Sequence, residues 1–439
     1  MTDSDGAGGG SNGNDPDRLS WFRDLGLGLF VHWSVDVQLG SVISHSLVGA
    51  SDAYADRYFE ELPETFDPRR FDPTEWARLA RVAGARYAVF TTKHHNGFAM
   101  WDTDTTPFNV TNTPYGDDVL REVVDAFRAE GVPVGFYFSP DDFWFLHQQG
   151  VDVAREGPGV EPSDNPELMA YNRAQVEELL TEYGDVATLF VDGDATGVRE
   201  LAWELQPEVV VTRGAMETPE QELRDRPLDR AWEGNLTVGT QWSYKAGNER
   251  YKSGTDLIEY FVETRAKGGN LLLNVGPRPD GTVPTPQEDR LRELGLWNFV
   301  NREAVTAVRP CPRTREGDVW FTRDGTDEPT TVYAFVTRAD WARGESRSFT
   351  FESVRATPET AVELLGQSGR TLEYDPEADP AASWRQDDQG LHVTATRAQR
   401  LYNADTYDDA PRDVKWSNPA VLAVTNARTV GPDGGDAST

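Results

Sequence analysis

The chain has a single cysteine, Cys311, in 439 residues, which excludes an internal disulfide. Lysine is almost as scarce: Lys93, Lys245, Lys252, Lys267 and Lys415 are the only ones, and the rest of the 42 basic residues are arginines. No apolar run is long enough to span a membrane. Positive charge is in short supply overall, with 74 acidic residues giving a net charge of −32. Such a chain repels nucleic acid and anionic lipid surfaces. The acidic excess is expected of a protein adapted to high salt, where screening leaves little self-repulsion beyond about 3 Å at 1 M. An unusually acidic enzyme working at ordinary salt is the alternative. The opening "MTDSDGAGGGSNGNDPD" is Gly-rich and acidic without an apolar stretch. It is expected to be a disordered tail over residues 1–19 rather than a signal peptide, in a soluble, cytoplasmic protein.

What is present is a regular alternation. Apolar runs "LGLFVHW", "RYAVFTTKHH", "VPVGFYFSP", "VATLFVDGD", "EVVVTRG" and "NLLLNVGP" read as strands. Between them lie helical patterns such as "PTEWARLARVAG", "DDVLREVVDAFRAEG" and "SGTDLIEYFVETRAKGG", opened by capping residues and closed by Gly. Strands alternating with helices are parallel, and their near-continuous apolarity predicts cover on both faces. A doubly wound sheet satisfies the pattern. The length and number of units fit a (β/α)8-like barrel better, over residues 20–309. From 310 to 428 the texture changes to short strands separated by Asp/Gly/Pro turns, as in an antiparallel β-sandwich. Residues 429–439 read as a disordered tail.

In a parallel barrel the chemistry sits where strands end. The strand ends supply His32 and Trp33, His94 and His95, Tyr137, Asp192, Arg213 and Asn274, with Trp232 and Glu233 closing a weaker strand, "DRAWE". Hydrogen-bonding groups mixed with aromatic rings suit a small, hydroxyl-rich ligand. A zinc-type site on His32, His94 and Asp192 is the competing chemistry, but it lacks the usual ligand spacing, so no metal is expected.

Several longer stretches are more specific: "WFRDLGLGLFVHWS", "FDPTEWARLARVAGARYAVFTTKHHNGFAMWDT", "GFYFSP", "LFVDGD", "AWEGNLTVGTQWSYK" and "KGGNLLLNVGPRPDGTVP". In this order, over residues 20–310, they resemble the α-L-fucosidases of glycoside hydrolase family 29. The resemblance implies a retaining exo-glycosidase that removes terminal α-L-fucose from a small fucoside or fucosylated glycan, without a cofactor. It implies that His32, His94 and His95 bind sugar hydroxyls alongside Tyr137, and that Asp192 is the nucleophile. The acid/base falls on Glu233 or on Glu249 in "WSYKAGNER", with the better-held strand-end position favouring Glu233. The chain departs from the family pattern in places. Asn96 replaces the Asp of His-His-Asp-Gly-Phe, Ser34 replaces the Gly of His-Trp-Gly, and "SHSLVGASDAYADRYF", containing His45, stands where a Glu-Trp-Tyr segment is usual. Rival readings are the same chemistry on α-L-galactosides, since a pocket discriminates only about 10²-fold against one added hydroxyl, and a non-catalytic sugar-binding barrel.

Overall fold

The computed structural model describes residues 12–43, 46–337, 341, 344–367, 381–397 and 418–431. Its N-terminal part runs α1 (Pro16–Leu25), β1 (Leu27–Val31), α2 (Asp52–Glu61), α3 (Pro73–Ala83), β2 (Tyr87–Lys93), α4 (Val119–Ala129), β3 (Val134–Phe138), α5 (Phe143–Gln148), α6 (Pro166–Glu182), β4 (Thr188–Val191), α7 (Val198–Leu205), β5 (Val210–Val211), β6 (Glu233–Thr237), α8 (Gly254–Ala266), β7 (Asn270–Val275) and α9 (Thr285–Val305). The helix ends follow their capping residues. Asp72 accepts from the Thr74 and Glu75 amides to start α3, Pro73 fills its first position, and Gly84 at φ +86° ends it.

The seven strands are parallel, in the order β5-β4-β3-β2-β1-β7-β6. Period-two alternation divides each strand between two cores. Leu27, Leu29 and Val31 pack outward with the helices. Phe30 packs inward with Tyr87, Val89, Tyr137, Phe190, Val210 and Leu272. Burying each of these side chains contributes about 2 kcal/mol, which makes the inner layer a firm floor.

Three expectations need correction. The sheet has seven strands rather than eight, and no ladder joins β5 to β6 among the described residues. The extended segment 217–221 lies along β6 instead, with Glu217 O and Pro219 O accepting from the Glu233 and Asn235 amides, and it forms a single bridge, Glu220 to Asn235. Secondly, α1 begins inside the stretch expected to be a tail. Asp15 caps it, and buried Asn14 donates to Val211 O and accepts from Val211 N. Thirdly, "DRAWE" does not end a strand at Glu233; β6 begins there.

The C-terminal part has β8 (Val308–Glu316), β9 (Val319–Asp324), β10 (Thr330–Val336), β11 (Ser346–Phe351), β12 (Val354–Leu364), β13 (Ser383–Asp387), β14 (Gly390–Thr396) and β15 (Ala420–Thr429). They form two antiparallel sheets, β12-β15-β10-β9-β8 and β11-β14-β13. Phe321, Phe351, Leu391 and Leu422 belong to a shared core between them, as a sandwich requires. The sandwich docks on α8 and α9. Trp297 donates to Pro419 O, Thr322 to Ala304 O, and Thr255 to Asn418. No described helix is long and apolar enough to cross a membrane.

Candidate active site

The rim where the parallel strands end collects most of the expected residues. Just beyond β1, His32 Nδ1 lies 2.6 Å from Asn274 Oδ1. The Asn274 amide donates to Trp242 O at 2.7 Å, so its oxygen faces the ring and His32 carries its proton on Nδ1. Burial lowers the His32 pKa to about 4, against the Asn274 hydrogen bond and the Asp192 charge that favour protonation. His32 is therefore neutral, with Nε2 an acceptor.

His94 and His95 follow Lys93, the last residue of β2. The His95 amide donates to His94 Nδ1 at 2.9 Å, which places the His94 proton on Nε2. The His94 ring stacks on Tyr137, with centroids 5.0 Å apart. Lys93 points away into a buried pair with Asp142, the residue that caps α5. The strand stops there, so both histidines turn to the same side.

Asp192 follows β4. Its Oδ2 accepts from the Tyr137 hydroxyl at 2.7 Å, and its Oδ1 accepts from Arg213 Nη1 at 2.9 Å. Thr218 fixes Arg213 through its hydroxyl and carbonyl, and the guanidinium lies over the Phe190 ring. Burial would raise the Asp192 carboxyl. The charges of His95 and Arg213 and the Tyr137 hydrogen bond outweigh it, and the pKa falls to about 2. Gly193, at φ +146°, makes the turn after Asp192; a Cβ there would lie 3.1 Å from Asp141 Oδ1.

His94, His95 and Asp192 bring ligand-type atoms within 4.8 Å of one another, whereas the metal alternative named His32, His94 and Asp192. Arg213 and Tyr137 already engage both Asp192 oxygens, and a guanidinium in that position repels a cation.

Two expected residues turn away from the rim and a third lies at the wrong end. Trp33 sits on the helix side of the sheet, fully buried between Phe66, Phe71 and Trp76, with Nε1 donating to Arg278 O. As His32 points inward, alternation sends its neighbour outward. Trp232 precedes β6 and donates to Lys267 O. Glu233 pairs in register with Asn270, the first residue of β7, and accepts from Tyr87, the first residue of β2. That is the end opposite Asp192, beneath the floor formed by Phe30, Tyr137 and Phe190.

Glu249 is on the correct side, in the loop from Val238 to Lys252 that leaves the end of β6. Its Oε1 accepts from Thr240 N and Oγ1 and from Arg250 N. The same loop carries Trp242, whose ring centroid is 5.1 Å from that of His32. Strand-end reasoning missed Trp242 because it stands on a loop; its signal was the "QWSYK" stretch.

The alpha-L-fucosidase family model matches residues 12–303. The alpha-L-fucosidase of Dictyostelium discoideum is 27% identical over 362 residues, covering 72% of this chain and 77% of its own length. The plasma alpha-L-fucosidase of Rattus norvegicus is 28% identical over 409 residues, covering 81% and 84%. Alpha-L-fucosidase isoenzyme 1 from Paenibacillus thiaminolyticus superposes with a TM-score of 0.70 at 25% identity, over 93% of this chain and 98% of that one. The matched span takes in every side chain that meets at this rim, and the chain belongs to the alpha-L-fucosidase family.

Proposed function

We infer that the protein is a retaining exo-glycoside hydrolase that releases terminal α-L-fucose, with Asp192 as nucleophile and Glu249 as acid/base. The observation that carries this is the state of Asp192: a partly exposed carboxylate at a strand end, kept ionised by Tyr137, Arg213 and His95. A nucleophile for an anomeric carbon has to be ionised and fixed. His32 Nε2 accepts from one sugar hydroxyl, and His94 Nε2–H donates to another. Trp242 offers the apolar face of the sugar a wall beside His32. Glu249 then protonates the departing oxygen. A glycosyl-Asp192 ester forms, and Glu249 takes a proton from the water that resolves it, with net retention.

The test separates the two carboxylates. Asp192→Gly should abolish turnover of aryl fucosides, and azide should restore it, giving the inverted β-fucosyl azide. Glu249→Ala should keep the first step for an activated leaving group and, with azide, give the retained α-fucosyl azide. Glu233→Ala should give no azide product. Wild-type kcat in Asp192→Gly, or α-fucosyl azide from Glu233→Ala, would overturn the assignment.

A further inference from the structure

His95 is clasped on both sides. Its Nδ1 lies 2.5 Å from Ser139 Oγ and 3.4 Å from Asp141 Oδ2. Ser139 donates its one proton to Asp141 O, so its oxygen faces His95 as an acceptor and Nδ1 carries hydrogen. On the other side, Nε2 stands 3.6 Å from Asp192 Oδ2. A neutral ring would aim a lone pair at that carboxylate, whereas an imidazolium aims an N–H. Asp141 is itself buried, gripped by Arg155 Nε at 3.2 Å, and packed against Gly193, the residue after the nucleophile.

We propose that Asp141 is a positioning residue for the reaction, holding His95 as an imidazolium whose Nε2–H faces Asp192, while Arg155 keeps Asp141 ionised for that task. Burial raises the Asp141 pKa to about 6 and Arg155 opposes the rise, so Asp141 is an anion at neutral pH. The other groups around the ring are Tyr137 and Arg213, both on Asp192, His94 packed edge-on, and the buried Lys93–Asp142 pair. With Asp141 neutralised, the charged ring loses one of the two carboxylates beside it, so it gives up its proton more readily. The nucleophile then loses a positive neighbour as the pH rises.

The inference rests on the fucosidase assignment for its kinetic arm only. Asp141→Asn keeps the shape and removes the charge. In ¹⁵N-histidine-labelled protein near neutral pH, both His95 nitrogens should read as protonated in the wild type and only one in the variant. The alkaline limb of kcat/KM, measured on an activated aryl fucoside that needs little acid assistance, should move to lower pH by about one unit or more. Asp141→Glu should restore both readouts. Arg155→Gln, at a side chain about one-third exposed, should shift both in the same direction by less, and it decides the matter if Asp141→Asn does not fold. Unchanged nitrogen signals and an unchanged pH profile in Asp141→Asn, or in Arg155→Gln where that variant decides, would overturn the proposal. A wild type without fucosidase activity whose His95 signals still respond to Asp141→Asn would sink the assigned function and leave the His95–Asp141 link standing.

Discussion

Asn96 donates to Ser34 Oγ at 3.1 Å and to the Tyr58 hydroxyl at 3.2 Å. All three residues are departures from the family pattern, and the structure joins them in one cluster behind His94 and His95. Tyr58 comes from the replaced segment, on α2; His45 of that segment lies outside the described residues. Beside them is the buried Asp36, whose carboxyl burial pushes up to about 7. Restoring the family's acid with Asn96→Asp should therefore harm this chain. The change would set a second buried carboxyl beside Asp36 and remove the amide that donates to Ser34 and Tyr58, at a cost of about 1–3 kcal/mol. A urea midpoint equal to that of the wild type would show that the cluster accepts a second acid at no cost. At this scale the sequence was informative wherever strand ends decide direction: His32, His94, His95, Tyr137, Asp192 and Arg213 do meet. It misled at Trp33, where one residue of alternation reverses the side.

The elements that were hardest to foresee break the hydropathy rule for a physical reason. In β6 the inward positions are Glu233, Asn235 and Thr237, so the strand carries polar groups where β1 and β3 carry Phe30 and Tyr137. "DRAWE" looked more strand-like because of Ala231 and Trp232, which pack just before the strand starts. Likewise β8 carries two prolines, at an edge of its sheet where a missing amide is tolerated. Misplacing β6 by its own length moved Glu233 from one end of the sheet to the other. Burial raises the Glu233 pKa from 4.5 to about 7, with Tyr87, Arg213 and Thr212 opposing. Between those values the folded chain keeps a proton that the unfolded chain has released. Stability therefore falls as pH rises through that window, by roughly 3 kcal/mol from this group. Glu233→Gln should remove that part of the slope and leave kcat within about twofold. Urea titrations at either end of the window measure the first, and a steep loss of kcat would return Glu233 to the acid/base role.

For the whole molecule, charge is expected to set the working conditions. With 74 acidic residues against 42 basic, self-repulsion is greatest where screening is weak. Activity should persist in molar KCl and disappear over hours on dilution to about 0.1 M, where the screening length grows to about 10 Å. Undiminished activity after hours in the dilute buffer would refute this. Three of the few lysines hold fixed points of the fold: Lys93 on Asp142, Lys252 on Thr237 O, and Lys267 on Glu263 and Arg224 O. The barrel-and-sandwich plan was legible in the order of apolar runs. The missing closure was not, because hydropathy records which residues are covered and not which strands are joined. That gap has a mechanical meaning. Where the ladder breaks between β5 and β6, the segment 217–221 is laid along β6 instead, so the seam is joined by a few backbone hydrogen bonds and side chains rather than by paired strands. The histidines follow β1 and β2, inside the laddered sheet, while Arg213 follows β5, beside the seam. The grip on the sugar is thus held by paired strands on one side and stitched by side chains on the other, where Thr218 pins the cation that restrains the nucleophile.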